Sequence, residues 1–265
     1  MRTNNPNSTP TVATPYLITL VDHHHLPMDH HNLYDITIDS NYTIQTLLTS
    51  TPDLVDDWFI VNRILSFSSP IIGLHIERSP SNSAATLTLC INNFCLVYQI
   101  FHSPYLNASL SNYLSNPNNR FVGVGAKEDV KELLKNHDLH LANYVNLHSL
   151  AAYVLDDQEM LRGEINTLAE RVLRKTVKKP HWVSMSRWDN PWLSAIQVKF
   201  ATVDAFVSFE IGRRLYSHPC LRKPSSKNIS NGFIFRFLKF GTASKLVLLL
   251  VLACVIARYN GSFLS

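Results

Sequence analysis

From Pro70 onward the chain alternates short apolar runs with turn-forming and charged residues. Ile71–Glu77 is an apolar run that ends in His-x-Glu. Ala85–Ile91 and Phe94–Phe101 are rich in aliphatic and aromatic residues, and the Asn92-Asn93 pair between them predicts a hairpin. Arg120–Ala126 predicts a buried strand, and Lys127–His137 a helix that turns Val130, Leu133 and Leu134 inward. Around these lie a short helix over Leu106–Leu114, a short strand over Tyr144–Leu147, and helices near Leu150–Leu155 and Ile165–Leu173. A long helix from about Ser194 to Tyr216 closes the region. Upstream, Leu54, Trp58, Val61 and Leu65 recur at helical period, and Tyr16–Val21 and Tyr34–Asp39 read as two strands. Three strands, then strand–helix units, then helices predict an α/β fold: a mixed sheet flanked by helices, behind a β-rich N-terminal extension.

Both ends differ from this middle. Residues 1–15 are Asn, Thr, Ser and Pro with few large apolar side chains, a composition that predicts disorder. The extension, 16–49, carries His23, His24, His25, His30 and His31 with Asp22 and Asp29 among them. Imidazoles suit transition metals, but the run lacks fixed ligand spacing and reads better as a polar loop between strands. The main domain is expected over 50–218. Residues 219–240 form a basic aromatic linker. Residues 241–265 hold the apolar run Leu246–Ala257 between Lys245 and Arg258. A spanning helix needs roughly 20 apolar residues, so this run reads either as a short tail anchor or as a helix lying at a membrane surface.

Composition excludes more than it assigns. The net charge of +4 is no polycation, so nucleic-acid binding needs a local basic surface. Cys90, Cys95, Cys220 and Cys254 form no Cys-x-x-Cys pair and suggest no disulfide framework. The expected compartment is therefore intracellular, nuclear or cytoplasmic, with a membrane-anchored fraction if the tail inserts.

Three segments carry candidate chemistry. Residues two apart on a strand share a face, so His75 and Glu77 point the same way. Asp129 follows Gly123-Val124-Gly125 in the first turn of a predicted helix, where the helix dipole favours a carboxylate. Phe200 and Asp204 are four apart on the long helix and share its face. Acids gathered from such distant segments repel unless a cation neutralises them. Taken singly, His75 also reads as an interior histidine, Asp129 as an ordinary first-turn acid, and Phe200 as core packing.

These segments resemble the 3′–5′ exonuclease family with a ribonuclease-H-like fold, most closely Werner-syndrome-type domains, over roughly Ile64 to Tyr216. Phe121-Val122-Gly123-Val124-Gly125 through Asp129-Val130 is similar to the second motif. Lys178-Lys179-Pro180, Ser186-Arg187-Trp188-Asp189, Trp192-Leu193-Ser194 and Gln197 resemble the approach to the last motif. Ala201-Thr202-Val203-Asp204-Ala205-Phe206-Val207 resembles that motif itself. The resemblance implies removal of nucleotides from a 3′ end by two divalent ions, Mg²⁺ or Mn²⁺, acting on single-stranded or 3′-recessed nucleic acid. It implies His75, Glu77, Asp129 and Asp204 as ligands, with Phe200 beside them. Lys178, Lys179, Arg187 and Trp188 lie near these motifs and are candidate nucleic-acid contacts; the alternative is a solvated basic linker whose Trp residues pack against the sheet.

Two departures from the family pattern lower the expected activity. His75 stands where the family has the Asp of Asp-x-Glu, and Phe200 stands where it has a Tyr that orients the attacking water. Mg²⁺ prefers oxygen ligands, while Mn²⁺ accepts an imidazole more readily. The expectation is therefore a weakened nuclease. The alternative is a catalytically inactive relative that acts as a nucleic-acid-binding module or a scaffold.

Overall fold

The computed structural model describes residues 12–23, 31–65, 71–125 and 127–222, with the side chains of 61–65, 129, 133 and 222 left outside it. The residues beyond position 222, residues 1–11 and most of the His cluster lie outside the described residues. So do the readings made of them: disorder, metal binding and a tail anchor. Among the described residues no helix is long and apolar enough to cross a membrane.

In chain order the elements are β1 (Thr14–Pro15), β2 (Ile18–Asp22), β3 (His31–Ile38), β4 (Tyr42–Thr49), α1 (Pro52–Leu65), β5 (Ile71–Arg78), β6 (Ala84–Ile91), β7 (Phe94–Tyr98), α2 (Ala108–Ser115), β8 (Arg120–Gly123), α3 (Lys127–Lys135), β9 (Tyr144–Asn146), α4 (Leu147–Leu155), α5 (Ile165–Leu173), β10 (Lys175–Thr176), α6 (His181–Ser184), α7 (Ala195–Tyr216) and α8 (Pro219–Arg222). Eight strands form one mixed sheet in the order β2-β3-β4-β7-β6-β5-β8-β9. Its centre is antiparallel from β5 through β7, while β8 and β9 continue parallel to β5. This is the α/β arrangement expected.

The N-terminal extension belongs to the same sheet. β3 and β4 form an antiparallel hairpin, and β4 then runs parallel to β7, from Gln45 opposite Phe94 to Thr49 opposite Tyr98. Local patterning did not define β4, whose parallel partner β7 lies some fifty residues later. Thr14–Pro15 falls in the stretch expected to be disordered. It instead pairs in parallel with Lys175–Thr176, through Thr14 N–H to the Arg174 carbonyl and Tyr16 N–H to the Thr176 carbonyl. His23, at the start of the His cluster, places Nε2 2.9 Å from Asp35 Oδ2 across the β2–β3 hairpin.

The sheet separates two apolar cores. On one face Val55, Trp58 and Phe59 of α1, Leu110 and Leu114 of α2, and Leu134 of α3 pack on Ile72, Leu74, Leu87 and Leu89. On the other, α4, α5 and α7 pack on Ile36, Ile44, Ile71 and Val97. β5 therefore alternates cleanly. Ile72 and Leu74 face α1 and α2. Ile71, Gly73, His75 and Glu77 face α7.

α7 lies unusually close to β5. A Cβ at Gly73 would stand 2.0 Å from the Ala205 carbonyl oxygen and 2.8 Å from the Phe209 nitrogen. At Gly212 it would stand 2.8 Å from a methyl of Val122 on β8. Two glycines thus let the helix backbone rest directly on the sheet. That contact brings Asp204, one residue before Ala205, beside the strand positions two and four after Gly73.

Candidate active site

His75, Glu77 and Asp204 meet at this contact. Each offers one ligand atom, and the three atoms lie within 4.8 Å of one another. His75 Nε2 is 3.1 Å from Glu77 Oε1 and 3.6 Å from Asp204 Oδ2. That nitrogen is buried and faces both carboxylates. The imidazole as a whole keeps 26% of its exposure and Asp204 only 5%, so the group opens toward solvent on the His75 side.

A fourth side chain completes the cluster. Lys179 donates from Nζ to Glu77 Oε1 at 2.8 Å and to Asp204 Oδ2 at 2.9 Å. Its approach is fixed from both sides. Two residues upstream, Asn166 clamps Val177, accepting from its N–H at 2.7 Å and donating to its carbonyl at 3.0 Å. One residue downstream, Pro180 caps the N-terminus of α6. The ammonium also lies 5.7 Å from the centre of the Trp188 ring.

The charges act on one another. For Glu77, burial favours the neutral acid, but His75 and Lys179 outweigh it and hold the carboxyl below the ordinary range. Burial disfavours the charged ammonium of Lys179, yet Asp204 and Glu77 hold its pKa above the usual lysine value. For His75 burial again opposes the charge. Glu77 and Asp204 prevail, and the imidazole titrates above its ordinary value near 6.5. Two carboxylates against one ammonium leave a single negative charge while His75 is neutral, and none once it is protonated.

The remaining candidates fall as follows. Phe200 is buried one turn before Asp204, and its ring brings no hydroxyl to the cluster. Asp129 lies in the first turn of α3, beyond the C-terminal end of β8, the strand beside β5. Its side chain is outside the described residues. Trp188 is buried, 1% exposed, so its ring supports Lys179 and is closed to a base. The exposed indoles of this segment are Trp182 and Trp192. Arg187 pairs in two-pronged fashion with Asp189, at 2.8 and 3.0 Å, so much of its charge is answered within the chain. Lys178 is exposed.

Residues 186–197 act as a brace. Ser194 and Gln197 form a capping box at the start of α7. Gln197 also donates to Ser186 Oγ at 3.0 Å. Gln99 donates to the Asn190 carbonyl at 2.9 Å, and His102 Nε2 lies 2.7 Å from that of Asp189. The brace ties the start of α7 to the end of β7, which fixes the helix along its axis.

Two carboxylates and an imidazole thus converge beneath one helix of an α/β sheet, a group whose ligand atoms lie close enough to share a metal ion. The family model of 3′–5′ exonuclease domains matches residues 53–218. The chain belongs to that family. It is 26% identical over 156 residues to a 3′–5′ exonuclease of Arabidopsis thaliana, covering 56% of this chain and 53% of that protein. It is also 26% identical over 152 residues to the mouse bifunctional 3′–5′ exonuclease/ATP-dependent helicase WRN, covering 55% of this chain and 11% of the other. This chain therefore spans about half of the first relative and about a tenth of the second. A crystal structure of the EXD2 exonuclease domain soaked in Mn and Mg aligns with TM-score 0.39 and 22% identity, covering 67% of this chain and 91% of that one.

Proposed function

We propose that the cluster is the reaction centre of a weakened 3′–5′ exonuclease. It takes the 3′ end of single-stranded or 3′-recessed nucleic acid and hydrolyses the terminal phosphodiester. Water attacks phosphorus, the bond to the 3′ oxygen breaks, and that oxygen leaves as a hydroxyl. The observation that carries the reading is the convergence of His75 Nε2 with the ligand oxygens of Glu77 and Asp204, all within 4.8 Å of one another.

The donor set fits one divalent ion. Two carboxylate oxygens and an imidazole nitrogen can share it, and Mn²⁺ accepts that mixture more readily than Mg²⁺. Asp129 is proposed as a further ligand, from its place in the first turn of α3. Two ions would set four positive charges against the two negative charges of Glu77 and Asp204, which is why the full two-ion chemistry is not assigned to the described residues. When bound, an ion would activate water and stabilise charge on the leaving oxygen. Glu77 and Asp204 would hold that ion beside the reacting phosphate. Phe200 shapes the wall but cannot accept or donate a hydrogen bond to water. Lys178 is placed to meet a backbone phosphate, and Trp182 and Trp192 offer exposed ring faces to unpaired bases.

A second reading, a catalytically silent module that binds nucleic acid, is favoured by one observation: the cluster already holds an ammonium. One experiment separates the two. A labelled 3′-recessed duplex is incubated with the protein in Mg²⁺ or Mn²⁺, beside His75→Asp and Asp204→Ala. Metal-dependent laddering, stronger in Mn²⁺ and lost in Asp204→Ala, is the expected result. A silent parent with activity gained in His75→Asp would establish the binding module. Silence in all three would remove the nuclease reading.

A further inference from the structure

Lys179 bonds the same two oxygens that face His75. Its Nζ is 2.8 Å from Glu77 Oε1 and 2.9 Å from Asp204 Oδ2, and those two atoms are also the nearest carboxylate oxygens to Nε2. We infer that Lys179 is the resident cation of this site: its ammonium takes the place between Glu77 and Asp204 that a divalent ion would take, so that lysine and ion exclude one another. The inference rests on the reading of the cluster as the reaction centre and specifies how that centre is regulated.

The exclusion follows from geometry and charge. An ion held by both carboxylates must lie close to the oxygens that Nζ now bonds. A divalent ion there would meet the Lys179 ammonium at close range, and its double charge doubles the repulsion of a single one. Lys179 therefore has to leave before the ion enters. The lysine is not a loose surface chain that has folded in by chance. The Asn166–Val177 clamp and Pro180 set its backbone, and Trp188 covers the ammonium. It is also 16% exposed, so the site has largely desolvated it in favour of the two acids. Without Lys179, one buried and one half-buried carboxylate would remain beside an imidazole and draw a cation from solution.

The test titrates Mn²⁺ into the full chain and follows the free ion by its paramagnetic resonance signal. Lys179→Met keeps the length of the side chain and removes its charge. It is expected to bind Mn²⁺ at least about tenfold more tightly than the parent, since one unit of opposing charge is gone. Lys179→Arg is expected to bind as weakly as the parent. Adding Glu77→Gln to Lys179→Met should abolish the gain. Equal Mn²⁺ affinity in the parent and Lys179→Met would overturn the inference. A second measurement uses only the parent. An amine-acylating reagent, read by peptide mass spectrometry, should label Lys179 slowly without ion and several-fold faster in excess Mn²⁺. An unchanged rate overturns the proposal even if Lys179→Met does not fold. Binding of a fluorescent single-stranded oligonucleotide in chelator is measured alongside. Its absence would sink the nuclease reading and leave the ion titration intact.

Discussion

At the scale of single residues, His75 and Phe200 depart in different ways from the pattern that the family resemblance implies. On the proposed reading His75 changes a ligand, and Phe200 removes a hydroxyl from the wall. The two defects are in series, because orienting water matters only where an ion has activated it. Phe200→Tyr alone is therefore expected to raise only the Mn²⁺-dependent cleavage proposed for the parent and to change nothing in chelator. On the His75→Asp background it should raise the rate by about tenfold or more, as expected for restoring a group that positions the reacting water. Single-turnover cleavage of the labelled duplex measures both. The raised pKa of His75 also has a consequence for stability. A group whose folded pKa lies above its unfolded one contributes stability that is fully present below the unfolded value, near 6.5, and is lost as pH rises through the folded value. Urea unfolding across pH 5 to 9 should show this loss on the alkaline side of about 6.5. In His75→Gln that part of the slope should vanish, and its persistence would place the titration elsewhere.

At the scale of elements, the site depends on how closely α7 approaches β5. Gly73→Ala puts a methyl into the Ala205 carbonyl, a backbone atom that cannot swing aside. The helix must lift, which carries Asp204 away from Glu77. A destabilisation of roughly 3 kcal/mol or more is expected, as for overpacking a tight interior contact. Urea unfolding measures it, and a parent-like midpoint would mean that α7 is not held against the strand as described. The strand was legible in the sequence because an apolar run ending in His-x-Glu admits one alternation, and α7 was legible because its apolar span is long. The contact between them was not legible. Gly73 reads as a small residue in a strand until the Ala205 carbonyl is seen above it.

At the scale of the molecule, the sheet does not stop where the family match begins at residue 53. β3 and β4 contribute Tyr34, Ile36, Ile38 and Ile44 to the core that also holds α7. They also cover the open edge of β7. A chain shortened to begin at Ser50 would bare that edge and lose those four buried side chains, each worth roughly 1.5–3 kcal/mol. It is expected to melt well below the full chain or to aggregate, as thermal scanning and size-exclusion chromatography would show. Equal melting temperatures would make the N-terminal strands an independent appendage.

What the sequence determined alone was periodic: strands and helices, the pairing of His75 with Glu77 on one face, and the shared face of Phe200 and Asp204. Local pattern suffices there, because side-chain direction repeats every two residues in a strand and about every 3.6 in a helix. The tertiary structure decided which side chains from distant segments meet. Lys178 and Lys179 are alike as sequence, adjacent members of a basic run. One is exposed and the other closes over two acids from 25 and 102 residues away. Trp188, a candidate nucleic-acid contact by sequence, is the buried wall behind that ammonium. Periodicity has no term for such meetings, since they depend on where the Asn166 clamp, the Gly73 contact and the 186–197 brace bring separate stretches of backbone.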